Sequence, residues 1–305
     1  MDLSVVTTLY RSAAYVEEFH RRVTAAARAL TGNYEIVMVN DGSPDGALAK
    51  AVALAKRDPH VVVVDLSRNF GHHQAILAGL AQARGERIFL IDIDLEEKPE
   101  WLPLFAARME KEPCDVVYGI QEKRKGSWFE RVSGWCFYKV LNAMVDIPLP
   151  ESSVMARLMT RRYVDALLSF GEREILLGGL MQLAGFEQHP HAVKKHSHSP
   201  TTYTLRRKLA MLVNAVTSLS SLPLVFIFYT GLVILGIAMA FALWFAMEWA
   251  FFARPHSGWT SVIISIWLLG GLMISFIGII GIYLSKVFSE TKQRPRAIVR
   301  EIHGG

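Results

Sequence analysis

Five short apolar runs recur at near-regular intervals along the first 120 residues: "LSVVTTL" (Leu3–Leu9), "YEIVMVN" (Tyr34–Asn40), "VVVVDL" (Val61–Leu66), "RIFLID" (87–92) and "DVVYGI" (115–120). Their Val- and Ile-rich, nearly unbroken character predicts strands covered on both faces, as in a parallel sheet. Between them lie stretches patterned as helices, over 13–30, 45–57, 72–84 and 99–112. Strand–helix alternation of this kind predicts a doubly wound α/β domain.

Beyond about residue 200 the pattern changes. No charged residue occurs from Leu222 to Met247, and none from Trp259 to Ser285. Each run exceeds the roughly 20 apolar residues that cross a bilayer as a helix. One such run fits a buried core helix; two joined by a short loop favour a pair of transmembrane helices. The hydrophobic share of the whole chain, 51%, is high for a soluble protein, and these runs account for the excess. The start, "MDLSVVTTLY", reads as a strand rather than a signal peptide. Basic residues flank both runs: Lys194, Lys195, Arg206, Arg207 and Lys208 before the first, and Lys286, Lys292, Arg294, Arg296 and Arg300 after the second. The connecting loop has only Arg254, with Glu248 beside it. This asymmetry predicts a multi-pass protein of the cytoplasmic membrane with both termini cytoplasmic. The expected organisation is a cytoplasmic domain over 1–200, an amphipathic interfacial segment over 201–221, spans over 222–247 and 259–285, and a tail over 286–305. The segment before the first span also reads as a simple extension of it. Gly271, Ser275 and Gly278 make a small-residue stripe suited to helix packing. In the tail, "QRPRAIVREIH" has the makings of a late strand.

Charge and cysteines change this picture little. The net charge of +5 suits a domain held against anionic lipid and needs no nucleic acid to explain it. Cys114 and Cys136 lack metal-ligand spacing, fit a reducing cytosol, and read as packing residues. "HPHAVKKHSHS" pairs His189 with His191 and His196 with His198; an exposed basic segment is the favoured reading over a transition-metal site.

The chemistry gathers at the strand ends. In an open α/β sheet, ligands bind beyond the carboxyl ends of the strands. Those ends carry Thr8, Leu9 and Tyr10; Asn40, Asp41 and Gly42; Ser67, Arg68 and Asn69; then Asp92 and Asp94 with Ile93 between them. "RIFLIDIDLEEKPEW" runs an apolar strand into five acids, whose mutual repulsion calls for a divalent cation, a basic partner or solvent. Neither a dinucleotide fingerprint nor a phosphate-loop motif is present. In an extended segment Asp92 and Asp94 share a side, and Glu96 continues the row if the extension holds. Such hard oxygen donors suit Mg²⁺ or Mn²⁺ bridging to a diphosphate. Glu97 and Glu100, beside Pro99, also read as acids at a helix start. His72 and His73 begin a helix at the same rim, placed either for donor phosphates or for capping and packing.

"VVTTLY", "IVMVNDGSPDG", "LSRNFGHHQAILAGLAQARGERIFLIDIDLEEKPEW" and "SVMARLMTRRYVDAL" together resemble the family 2 glycosyltransferases of the GT-A fold. With the two C-terminal spans, the chain is similar to the polyprenyl-phosphate glycosyltransferases, which include dolichyl-phosphate mannose synthases and bacterial undecaprenyl-phosphate sugar transferases. The resemblance implies transfer of one sugar from a nucleotide sugar, a UDP-sugar by analogy, to a polyprenyl phosphate at the cytoplasmic membrane face, for a cell-envelope glycan. It implies that Thr8, Leu9, Tyr10, Asp41, Asp92 and Ile93 hold the nucleotide sugar. Asp92, Asp94 and Glu96 are implied as metal ligands, with Asp94 the main one. Arg124, Arg131 and Ser133 are implied to hold the acceptor phosphate, the arginines foremost, with Ser133 and Lys139 the weaker candidates. Arg157 matches the Arg of an "FRLM"-like motif and joins Asp94, Arg124 and Arg131 as a catalytic candidate. A solvated surface cation competes as the reading of Arg124, in "EKRK". Relatives also suggest a homo-oligomer.

Three departures stand out. "DLEEKPE" replaces the family's frequent "DLQDPPE", Gln121 stands where relatives often carry Arg, and "ESSVMARLM" lacks the Asp that many relatives have just before "FRLM", proposed as a base. A phosphate monoester nucleophile, with a second pKa of about 6, is already largely ionised at neutral pH, so the absent acid does not exclude catalysis. In-line attack by it would invert the anomeric centre. Two other readings stay open: a catalytically silent nucleotide-binding membrane scaffold, and a processive polysaccharide synthase. The second normally carries a Q-x-x-R-W motif and more spans than this chain has.

Overall fold

The computed structural model describes residues 1–121, 153–172, 177–194, 216–217, 220–252 and 258–305. The chain divides into two compact units: one takes in the N-terminal sheet domain and Arg294–Gly305, the other Leu205–Gln293.

In the first unit the predicted alternation is realised. β1 (Leu3–Leu9), α1 (Val16–Arg28), β2 (Tyr34–Asn40), α2 (Ala47–Arg57), β3 (Val61–Leu66), α3 (His72–Gln82), β4 (Arg87–Leu90), α4 (Trp101–Lys111) and β5 (Val116–Gln121) follow in order. Then come β6 (Ser153–Thr160), α5 (Arg161–Ser169), α6 (Leu177–Leu183) and β7 (Gln188–Val193). Alternate residues of each strand enter opposite faces of the sheet. Ile36 and Met38 of β2 pack with Val16 and Phe19 of α1 and Phe105 of α4, while Val37 and Val39 pack with Ile76 and Leu80 of α3 and Tyr163 of α5. Both faces are dry, which is why the strands read as unbroken Val and Ile. Helix α3 lies close on the sheet because Gly79 has no side chain; a Cβ there would come within 2.6 Å of Val6 Cγ1 and 2.7 Å of Val39 Cγ2.

With a last strand, β8 (Val299–His303), the sheet has eight strands in the order β7-β5-β6-β4-β1-β2-β3-β8. β4, β1, β2 and β3 are parallel neighbours. β6 runs antiparallel between β4 and β5, with Leu90 opposite Arg157 and Val116 opposite Met159. The sheet is therefore mixed, where the apolar runs alone suggested a parallel one; continuous apolar character reports burial on two faces and carries no strand direction. β7 pairs with β5 at one edge, a position where Pro190 is tolerated. The segment read as an exposed basic stretch around His189 and His191 is thus an edge strand. At the opposite edge, β8 (Val299–His303) pairs antiparallel with β3, so the tail does form a strand.

In the second unit, α7 (Leu222–Phe252) and α8 (Trp259–Thr291) are 31 and 33 residues long, about 46 and 50 Å at 1.5 Å per residue. Both are long and apolar enough to cross a membrane, and their most apolar stretches are unburied. Added Cβ atoms at Gly271 and Gly278 would meet nothing within 4 Å, so the small-residue stripe faces open space. Most of the expected interfacial segment over 201–221 lies outside the described residues, as does the short loop between the helices.

Candidate active site

The parallel strands β4, β1 and β2 end on one rim. There the backbone N–H of Asp41 donates to Leu9 O (3.1 Å), and that of Ile91 donates to Val6 O (3.1 Å). Thr8 and Leu9 are buried and Tyr10 is exposed. The Asp41 carboxylate is buried too. It accepts from the backbone N–H groups of Phe70 (2.7 Å) and Gly71 (3.1 Å), while Asn69 Nδ2 donates to Asp41 O (3.0 Å). Asp41 therefore fixes the loop leading into α3, and its carboxylate faces that loop. Its neighbour Gly42 has φ +59°, and a Cβ there would lie 2.5 Å from Asn69 N. The loop and the end of β2 touch backbone to backbone.

His72 joins two strand ends. Its Nδ1 lies 3.1 Å from Thr8 Oγ1, and its Nε2 lies 3.5 Å from Asp92 Oδ1. Asp92 and Asp94 are half-buried and flank buried Ile93. The extended row of acids does not persist beyond them. β4 stops at Leu90, the chain turns at Ile93 and Asp94, and Leu95 takes a positive φ of 60°. Asp94 Oδ1 accepts from Glu96 N at 3.0 Å. This side-chain-to-backbone bond two residues on is the turn chemistry that Asp favours. It takes Glu96 out of line with Asp92 and Asp94. Among the described residues no three His, Cys, Asp or Glu side chains converge as a ready-made metal cage. Asp92 and Asp94 offer the donor set of an ion that draws its remaining ligands from phosphate oxygens and water, as Mg²⁺ commonly does.

Two acids read together from the sequence as a helix start behave differently. Glu100 is an exposed partner of Arg22 on α1, held by two bonds of 2.8 and 2.6 Å. Glu97 is only 1% exposed, and its Oε1 accepts from Met155 N at 2.9 Å on β6. Adjacent on β6, Arg157 is 6% exposed. Its Nε donates to Met155 O (3.1 Å), Nη2 donates to Val154 O (3.2 Å), and Nη1 contacts Met181 Sδ. Burial lowers its pKa from the usual arginine range, opposed by the nearby Tyr163, Glu97, Tyr118 and Asp92. Tyr163, pushed up to about 12 chiefly by burial, donates from its hydroxyl to Met181 O at 2.8 Å. Arg157 thus lies beneath the rim rather than on it. The burial of Glu97 was not foreseen because its sequence context, next to Lys98 and Pro99, is that of any acidic helix start. Its burial comes from β6, a strand whose neighbours are distant in sequence. Arg124, Arg131, Ser133 and Lys139 lie outside the described residues.

The family model "Glycosyl transferase family 2" matches residues 4–168, more than half of the chain. Over 304 residues the chain is 49% identical to a protein of Mycobacterium tuberculosis described as "Putative glycosyltransferases", covering 100% of this chain and 89% of that one. It is 27% identical to the "Prophage bactoprenol glucosyl transferase homolog" of Escherichia coli, covering 99% of both chains. Among solved structures, residues 1–349 of S. aureus TarS align with a TM-score of 0.49 at 17% identity, over 72% of this chain and 65% of that one. The mixed sheet with its rim of acids at the strand ends accords with the GT-A fold that the sequence motifs implied, and the two apolar C-terminal helices follow that domain as expected. The chain belongs to glycosyl transferase family 2.

Proposed function

We propose that this glycosyltransferase moves a single sugar from a UDP-sugar to the phosphate of a polyprenyl lipid at the cytoplasmic face of a membrane, inverting the anomeric centre. The observation that carries this reading is the end-to-end likeness to the bactoprenol glucosyl transferase homologue, which takes in the two apolar helices as well as the sheet domain. Both are what a lipid-phosphate acceptor requires: an anchor at the membrane and a rim for a nucleotide diphosphate. Thr8, Leu9, Tyr10, Asp41 and Ile93 form or brace the nucleotide side of that rim. Asp92 and Asp94 would hold Mg²⁺ or Mn²⁺, with Glu96 the additional candidate; the bound ion supplies charge compensation for the diphosphate leaving group. His72 holds the ends of β1 and β4 together through Thr8 and Asp92. On the acceptor side, Arg124, Arg131 and Ser133 would align the lipid phosphate, an arginine fork being suited to a phosphate by geometry and constant charge. The acceptor is already an anion, so alignment and compensation do the work that a base does for a neutral nucleophile. The basic flanks of the helices favour a cytoplasmic side for both termini.

The test is transfer in detergent. Purified full-length protein, undecaprenyl phosphate, Mg²⁺ or Mn²⁺ and a panel of nucleotide sugars are combined, and a lipid-phosphate-sugar is sought by mass spectrometry. One donor should give product. Asp94→Asn keeps an oxygen to accept from Glu96 N and so keeps the turn, but removes the charge; it should lower kcat at least about 100-fold. Nucleotide binding by folded protein without product from any donor would instead indicate a silent scaffold.

A further inference from the structure

Glu97 lies outside every role assigned above, yet it is among the most deeply buried charged side chains described. Its setting follows from where β4 stops. β6 pairs with β4 only from Leu90 opposite Arg157 to Arg87 opposite Thr160. Val154 and Met155 therefore extend past the end of β4, alongside the acidic segment, where no ladder partner on that strand receives them. Met155 is half-buried, and a backbone N–H left unpaired there would be costly. Glu97 meets that need: after the turn at Asp94 its side chain reaches back and accepts from Met155 N at 2.9 Å. Arg157, two residues along the same strand, holds the carbonyl of that residue, donating from Nε to Met155 O at 3.1 Å. One residue of β6 is held at both its backbone groups by two buried, oppositely charged side chains, and the first of these belongs to the segment that carries Asp92 and Asp94.

We infer that Glu97 is a positioning residue: with Arg157 it clamps Met155 and so fixes the segment from Asp92 to Glu97 against β6. The segment needs such an anchor. Beyond the bond from Ile91 N to Val6 O, no ladder pairing continues along it among the described residues, and it contains a non-glycine residue, Leu95, at φ 60°. Conformations of this kind persist only when their surroundings over-determine them. The Asp94–Glu96 bond closes the turn internally but does not tie it to the sheet. Glu97 does, and it places the Asp94 carboxylate relative to the rim without itself reaching substrate. The inference rests on the proposed transfer reaction, since its consequence is a rate.

The experiment compares wild type, Glu97→Met, Glu97→Gln, Arg157→Met and Glu97→Met/Arg157→Met, all full length, with Glu100→Gln as control. Rates are normalised to sites counted by nucleotide binding, so loss of folded protein does not register as loss of rate. Glu97→Met removes the acceptor and the charge at similar length, and should lower kcat about 100-fold, as misplacing a reacting group by about 1 Å does. Its KM for the nucleotide sugar should move less than its kcat. Glu97→Gln keeps an acceptor oxygen and should fall between Glu97→Met and wild type. The double variant should be no slower than the slower single one, because both residues hold one backbone unit. Independently of activity, hydrogen exchange should quicken in peptides covering 91–98 and 153–160 of Glu97→Met and stay unchanged in β1–β3. A Glu97→Met kcat within about threefold of wild type would overturn the inference. So would unchanged exchange in both peptides. If Glu97→Met does not fold, Glu97→Gln within twofold of wild type has the same force. Failure of the transfer reading shows separately, as absence of product from wild type with every donor.

Discussion

Gly42 carries a demand that no other residue can meet. Its φ of +59° lies in the left-handed region, and a Cβ would sit 2.5 Å from Asn69 N and 2.7 Å from Arg68 C, both backbone atoms that cannot swing aside. Gly42→Ala should therefore cost more than the roughly 1 kcal/mol of a left-handed alanine, because the loop that Asp41 holds must also shift. Chemical denaturation should show a loss of at least about 2 kcal/mol, with weakened nucleotide binding; a variant as stable as wild type would show that the loop yields freely. At this scale the sequence was readable where a residue's chemistry is local. Asp92 and Asp94 stand at the rim because a strand end is visible as a pattern. The Asp94 turn, the burial of Arg157 and the anchoring of Glu97 were not legible. Each depends on a partner made by the fold: a positive φ at Leu95, or a β6 backbone 58 positions from Glu97.

Elements were legible in proportion to how regular their burial is. β1, β2 and β3 begin and end where the apolar runs do, because both their faces are covered. β6 and β7 were not visible as strands: "SVMARLMT" mixes Arg and Met with few β-branched residues, and "QHPHAV" carries a proline and two histidines. β6 owes its form to pairing with β4 and β5, and β7 to pairing with β5, rather than to propensity. β8 covers an edge that would otherwise be hazardous. β3 is "VVVVDL", and β8 supplies the partner: Ser67 N donates to Ile298 O (2.9 Å), Arg300 Nη2 donates to Ser67 O (2.6 Å), and Arg300 Nη1 donates to Asp65 Oδ2 (3.3 Å). Asp65 in turn accepts from Asn40 Nδ2 at 2.7 Å, next to Asp41. Removing residues 298–305 should leave a bare Val-rich edge of the kind that pairs with other chains. Size-exclusion chromatography of the truncated protein should show aggregates, and its melting temperature should fall by several degrees; a monodisperse, equally stable variant would mean that β8 is dispensable.

For the molecule as a whole, the two apolar helices decide where it can work. Their most apolar stretches, Leu222–Phe241 and Ser265–Thr291, are unburied, and water is a poor solvent for two such surfaces. The full chain should stay in the membrane pellet after an alkaline carbonate wash and enter solution only with detergent; release by carbonate alone would remove the case for spanning helices. The placement of β8 has a further consequence, in time rather than in space. A nascent chain finishes β3 at Leu66 but does not supply its edge partner until Val299, about 230 residues later, or roughly 10 to 50 s at ordinary synthesis rates. Throughout that interval the sheet has an open Val-rich edge, and both long apolar helices must leave the ribosome before it closes. The catalytic domain therefore completes its sheet only after the segments that would hold it to a bilayer have been made, so an enzyme cut short before its anchor is also one left without its last strand.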